Sequence, residues 1–330
     1  MTAAEAAQHF VHKGHDPNRN AALNQHIQKL WQSGSASVFE CRVCGFGFAW
    51  PFTAGDAAFY NLAYPYATYP KSKWEFLRTL DVLATLETKG KTALEVGAGR
   101  GHFLDLLHQR RLLRLCDVSA IEYNNDALPI LAAKGVTTFS HDIRSADFAD
   151  KQGTFDFIFM FQVVEHMDDV DALFKRVQTL LKPHGSLFIA VPNKTRTDYQ
   201  ERHGSQLDMP PNHIGRWTPD AFRAICDRHG LTVQAVEFEP FDAGGFLLQD
   251  IAYSFVRRAQ TSSGLSGFVR SLPRSKLSRL AQGAVAGMLF PTRLAAWREA
   301  FANRGVMGGS LWMQARREQP DHEPNSARSV

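Results

Sequence analysis

Apolar and polar positions follow two rhythms along this chain. From residue 91 onward, short apolar runs alternate with longer segments whose apolar residues recur every three or four positions. The runs predict strands and the longer segments predict amphipathic helices. Thr92–Val96 reads as a first strand with a helix over His102–Arg110 after it; Asp117–Glu122 reads as a second, followed by a helix over Asp126–Lys134. Thr137–Ser140 is a short third strand. Phe155–Phe161, apolar except for Asp156, is the fourth, and the helix Asp169–Leu181 after it stops at Lys182-Pro183-His184-Gly185. Ser186–Val191 is the fifth strand and Asn193–Asn212 a polar loop. Thr218-Pro219-Asp220 then caps a helix that runs to His229-Gly230, before a sixth strand at Leu231–Phe238. Such alternation predicts an α/β fold with a parallel sheet and crossover helices.

The flanks break this rhythm. Residues 1–72 read as an N-terminal accessory segment, with a helix over Ala21–Trp31 and an aromatic, glycine-punctuated piece at Phe39–Phe48. Trp74, Leu77, Leu80 and Leu83, three apart, predict a helix over Lys73–Leu86. Residues 241–304 read as a helical, basic insertion, with nine bases between Ile251 and Arg304 against the single acid Glu299. Strand chemistry returns at Ser310–Arg316, so the core is expected at 73–240 and 305–318, with 319–330 a disordered tail.

Composition narrows the class. An apolar fraction of 44% and a charged fraction of 21% are those of a soluble globular protein. Net charge is +4, which does not call for nucleic acid, and no RNA-binding module is visible, so no nucleic-acid partner is expected. No apolar run is long enough to cross a bilayer, and four cysteines do not make a disulfide framework. The expectation is a cytoplasmic protein, with possible peripheral membrane contact through the basic residues 245–304.

The candidate chemistry starts at Leu94-Glu95-Val96-Gly97-Ala98-Gly99-Arg100-Gly101-His102. Glycines at every second position let the backbone take left-handed angles and press against a ligand. The spacing departs from the dinucleotide fingerprint, where a third glycine would replace His102, and the acid Glu95 suits a cationic ligand better than a pyrophosphate.

With Glu122 ending the second strand, Asp142-Ile143 following the third, Phe155 to His166 spanning the fourth, and Leu181 to Leu187 entering the fifth, the order of motifs resembles class I S-adenosylmethionine-dependent methyltransferases. The resemblance implies a Rossmann-like fold, a seven-stranded, mostly parallel sheet with helices on both faces, and S-adenosylmethionine bound by Gly97, Ala98, Gly99, Gly101 and Tyr123, by Glu122 at the ribose, by Asp142 and Ile143 at the adenine, and by Gln162 and Val163 beneath the sulfonium. It gives Glu95 a choice between orienting the amino group and a structural role. Met209 to Pro219, with its Pro-x-His and Trp-Thr-Pro, resembles the acceptor-side motif of bacterial small-molecule and sugar methyltransferases. That makes His213 the first candidate for a general base, and His166 the second; the bland alternative has the His213 ring capping the next helix or packing on Trp217. Tyr199 and His203 are weaker candidates. The implied acceptor is a small molecule, a sugar or a lipid-linked compound, with O-methylation ahead of C-methylation. The competing readings are a nicotinamide-dependent nucleotide-sugar oxidoreductase and a non-catalytic cofactor-binding scaffold.

Cys41-x-x-Cys44 resembles half of the zinc ribbon found in some sugar methyltransferases. No second knuckle precedes it, and His9, His12, His15 and His26 lack a knuckle's fixed pairing. A degenerate ribbon without metal is the expectation.

Overall fold

The computed structural model describes residues 1–10, 17–63, 70–206, 208–261, 264–272 and 276–318. The expected disordered tail, 319–330, lies outside these.

Among the described residues, ten strands form two sheets. The strands are β1 (Ser37–Glu40), β2 (Gly47–Trp50), β3 (Ala93–Val96), β4 (Val118–Ile121), β5 (Thr137–Phe139), β6 (Phe155–Phe161), β7 (Leu181–Pro192), β8 (Gly215–Arg216), β9 (Leu231–Phe238) and β10 (Ser310–Arg317). The large sheet has seven strands in the order β5-β4-β3-β6-β7-β10-β9. β3 pairs in parallel with β4 and β6, and only β10 runs against its neighbours. This reversed strand, slotted between the fifth and sixth core strands, separates the sheet from the all-parallel dinucleotide arrangement.

All seven residues of β6 are buried, which requires helices on both faces. Phe157, Phe159 and Phe161 point to one face and Ile158 and Met160 to the other. Before β1 come α1 (Ala3–His9) and α2 (Pro17–Trp31), and after β2 comes α3 (Ala57–Ala63). The phenylalanine face is covered by α4 (Trp74–Leu83), α5 (His102–Gln109) and α6 (Leu128–Ala133), through Phe76, Leu80, Phe103, Leu107 and Leu131. The opposite face is covered by α7 (Val170–Leu180), through Phe174 and Val177.

Two elements depart from the sequence expectation. The polar loop after the fifth strand contains a helix, α8 (Lys194–Arg202), capped by Asn193, whose side chain accepts from Thr195 N–H. Its next turn carries β8, which extends the β1–β2 hairpin into a three-stranded sheet. Phe48 pairs with Gly215, and Ala49 N–H donates to the Ile214 carbonyl at 2.8 Å. The N-terminal segment is therefore stitched to the His213 loop. Next, α9 (Pro219–Arg228) starts at Thr218, whose hydroxyl accepts from Ala221 N–H and donates to the Cys44 carbonyl.

The insertion is helical as expected: α10 (Ala243–Thr261), α11 (Leu265–Ser271), α12 (Lys276–Gly287) and α13 (Phe290–Ala302). Asp250, 6% exposed, accepts twice from Arg293 and once from Trp297, clamping α10 to α13. Arg196 of α8 lies over the Phe246 ring at 4.3 Å, which roots the insertion on the missed helix. Among the described residues no helix is long and apolar enough to cross a membrane.

At the amino end of the sheet, Asp156 accepts from Thr92 N–H (3.0 Å) and pairs with Lys182 (2.6 Å) and Lys91 (3.1 Å). Burial pushes its carboxyl up, but these partners outweigh burial and hold it at about 2. A depressed carboxyl stabilises the fold above its unfolded pKa, and that gain is lost as pH falls toward the folded value. Asp156→Asn is expected to cost about 2 kcal/mol at neutral pH. In urea melts across pH, the gap between wild type and variant should close between about pH 4 and pH 2.

Candidate active site

The carboxyl ends of β3, β4 and β6 open at one edge of the sheet, where ligands of such folds bind. β3 ends at Val96 and the chain turns through Gly97 (φ 73°), Gly99 (φ 53°) and Gly101 (φ 74°). A Cβ on Gly97 would stand 2.5 Å from Val163 Cγ2, and one on Gly101 would stand 2.8 Å from Leu131 Cδ2. Gly97 needs glycine for space as well as for φ, and Gly101 needs it for φ. The turn thus lies flat against the end of β6 and starts α5.

Glu95 sits inside β3 and is 3% exposed. Its Oε2 has no hydrogen-bond partner among the described residues. Burial, reinforced by the nearby Glu122, pushes its carboxyl well above the usual range, against the pull of Lys73. A buried carboxylate oxygen without a donor is costly unless a ligand supplies one. Glu122 follows β4 and reaches back to the turn. Its Oε2 accepts from Gly99 N–H at 2.6 Å, and Oε1 accepts from Tyr123 N–H and Asn124 N–H at 2.8 Å. The acid at the end of the second strand therefore faces the glycine turn.

Asp142 lies in a partner set the sequence did not disclose. Arg144 donates to it through Nε at 2.9 Å and through a terminal nitrogen at 2.7 Å. Burial acts to raise Asp142, but Arg144 and the Tyr123 hydroxyl overcome it and lower its pKa. Ile143, expected against an adenine ring, is fully covered by core residues and offers no open face. Tyr123, 56% exposed, has one. Gln162 takes a left-handed φ of 57°, and its Nε2 donates to Glu75 Oε1 at 3.1 Å. That turns the side chain toward α4 and leaves the backbone at the end of β6. Glu75, 2% exposed, was not singled out in the sequence, where it reads as a helix-start acid.

Directly after Val163, the single turn Val164–His166 carries Glu165 and His166. His166 Nδ1 lies 2.6 Å from the Asn212 carbonyl, which can only accept, so Nδ1 carries the proton and Nε2 the lone pair. His213 Nδ1 lies 2.7 Å from Asp208 Oδ1. The two rings meet edge to face with centroids 4.7 Å apart. The structure therefore brings together the two histidines ranked from sequence. His213 does not pack on Trp217, whose ring stacks on Phe222 with centroids 4.8 Å apart. Tyr199 and His203 stand apart from the pair: Tyr199 is buried against Phe246 beneath the insertion, with the His203 ring over it.

Burial and the neighbouring His213 push His166 down to about 3, so it is neutral. Burial opposes charge on His213 as well, but Asp208 and Glu165 prevail and raise it above 6.5. Glu165, 1% exposed, has neither oxygen hydrogen-bonded, and burial lifts it to about 7 against the pull of His213. Asp208 was missed, five residues upstream of His213 in a loop without periodicity.

No metal-ligating set was expected, yet Glu165, His166 and His213 bring ligand atoms within 4.8 Å of one another, close enough to hold an ion. Cys41 and Cys44 are free thiols joined by no third ligand among the described residues; His12 and His15 lie outside those residues, and His26 pairs with Asp56 at 2.6 Å.

S-adenosylmethionine fits this edge on the structure's own terms. The flat glycine turn admits a backbone-hugging ligand, and the orphaned Glu95 oxygen calls for a cationic donor.

A family profile described as "Methyltransferase domain" matches residues 70–236. The ubiquinone biosynthesis O-methyltransferase of Pseudomonas paraeruginosa is 23% identical over 191 residues, which are 52% of this chain and 78% of that protein. The protein of the same name from Mesorhizobium japonicum is 29% identical over 116 residues, 35% of this chain and 46% of the relative. The solved S-adenosylmethionine-dependent methyltransferase of Mesorhizobium loti aligns with a TM-score of 0.47 at 14% identity, over 75% of this chain and 100% of that one. The nicotinamide and scaffold readings fall, and the chain belongs to the class I methyltransferases, as an enzyme that uses S-adenosylmethionine.

Proposed function

We propose that this enzyme methylates a hydroxyl oxygen of a small-molecule acceptor, free, sugar-borne or lipid-linked, with His213 as general base. The observation that carries the reading is the 2.7 Å contact between His213 Nδ1 and Asp208. A carboxylate there holds the proton on Nδ1 and leaves Nε2 with its lone pair for a substrate hydroxyl. The names of the relatives, O-methyltransferases of ubiquinone biosynthesis, favour oxygen over carbon.

When bound, S-adenosylmethionine supplies an electrophilic methyl group. The residues have three tasks. The Gly97 turn and Gln162–Val163 fix the ligand edge at the end of β6. Glu95 takes the cationic amino group, Glu122 the ribose hydroxyls, and Tyr123 with Asp142 the adenine. His213 removes the acceptor proton as the new bond forms, with Asp208 stabilising the resulting imidazolium and His166 positioning the acceptor. Alignment and proton removal are the main contributions a protein can make to such a displacement.

Two measurements follow from these charges. Glu95 has a raised pKa without ligand, and a cationic partner favours its ionised form, so binding should release a proton. Calorimetry in buffers of different ionisation enthalpy should show that release, with affinity rising with pH until Glu95 is already ionised. Glu95→Gln should abolish the linkage and weaken binding about tenfold.

The base must be neutral to act. Because Asp208 raises His213, kcat/KM should rise with pH through an apparent pKa above 6.5. Asp208→Asn should shift that limb to lower pH. His213→Ala should lower kcat by roughly 100- to 10,000-fold with cofactor affinity intact. Full turnover in His213→Ala removes the base assignment. Loss of activity on chelation, restored by a divalent cation, would instead make Glu165, His166 and His213 metal ligands.

A further inference from the structure

We infer that the outer face of α12 docks the enzyme on an anionic bilayer surface. The small core of the insertion consists of Phe255, Val269, Val285 and Leu289, so α12 turns Val285 inward. At 100° per residue, Leu280 falls about 140° from Val285, on the outward side, and Leu277 about 80° from it, on the flank. They are 79% and 71% exposed, and Met288, just past the helix end, is 67% exposed. Large apolar side chains aligned on the outside of a helix are the informative exception to ordinary surface composition.

Charge selects the occupant. Lys276 and Arg279 lie about 180° and 120° from Val285, on the outward side next to Leu280; both are exposed and without an ion-pair partner among the described residues. The only acids between 243 and 304 are Asp250 and Glu299, and both are taken: Asp250 by Arg293, Glu299 by Arg202. The face therefore presents uncompensated positive charge beside exposed leucines. A second copy of the chain would oppose like charges across the contact. An interfacial amphipathic helix combines apolar residues with flanking bases in this way, lying in the headgroup region rather than crossing it.

The inference does not depend on the acceptor, because lipid binding can be read without turnover. It gives the insertion a consequence for the site, since α8, on which it is rooted, runs directly into the loop of Asp208 and His213.

The test is co-sedimentation of the full chain with phosphatidylcholine vesicles, with and without phosphatidylglycerol. Binding is expected to the anionic vesicles only, and to weaken as salt rises. Leu277→Gln with Leu280→Gln, and separately Lys276→Gln with Arg279→Gln, should each lower partitioning about tenfold with thermal midpoint and cofactor affinity unchanged. Absence of wild-type binding, equal binding to neutral vesicles, or undiminished binding of both folded double variants overturns the proposal. So does light scattering that shows a dimer abolished by the leucine substitutions.

Discussion

Gly97 and Val163 meet where no side-chain carbon could stand on the glycine. β3 and β6 are neighbours in parallel register, so the turns that leave them emerge side by side. A Cβ on Gly97 would stand 2.5 Å from Val163 Cγ2 and force the two apart. With glycine there, the ligand turn lies against the strand end, and the chain has only two residues to travel from Val163 to Glu165. The glycine turn and the Val164–His166 turn therefore leave the sheet side by side. Alignment of methyl donor and acceptor depends on such rigidity more than on any single charge.

The two ends of the sheet treat buried acids in opposite ways. At the amino end, Asp156 has two lysines and a backbone donor, and its lowered pKa is a contribution to stability. At the carboxyl end, Glu95 and Glu165 are more deeply buried, and Glu95 Oε2 and both Glu165 oxygens lack a hydrogen-bond partner among the described residues. Burying a carboxylate without a donor opposes folding. Strongly perturbed acids gathered at one edge mark a site built for ligands that the folded chain alone does not satisfy. Glu95 stands near the acid Glu122, and Glu165 leans on His213.

Much of this was readable from residue pattern. The strands of the large sheet, the glycine turn, Glu122 and the two histidines carry local signals: apolar runs, fixed spacing, and a position just beyond a strand. What escaped depends on distant partners. α8 has a polar sequence with no apolar stripe; its support comes from Asn193, whose Nδ2 donates to the carbonyls of Val306 and Gly308, and from Arg196 over Phe246. β8 is two residues long and exists because the N-terminal hairpin pairs with it. Asp208 sits in an aperiodic loop, and its meaning appears only once His213 lies beside it. Ile143 failed as a ring contact because the core covers it.

A crystal structure with S-adenosylhomocysteine tests the central claim most directly. The account predicts sulfur at the Gln162–Val163 edge, the amino group at Glu95, and His213 Nε2 facing the vacant methyl position. An edge closed by the protein's own side chains, or a sulfur directed away from both histidines, would contradict it.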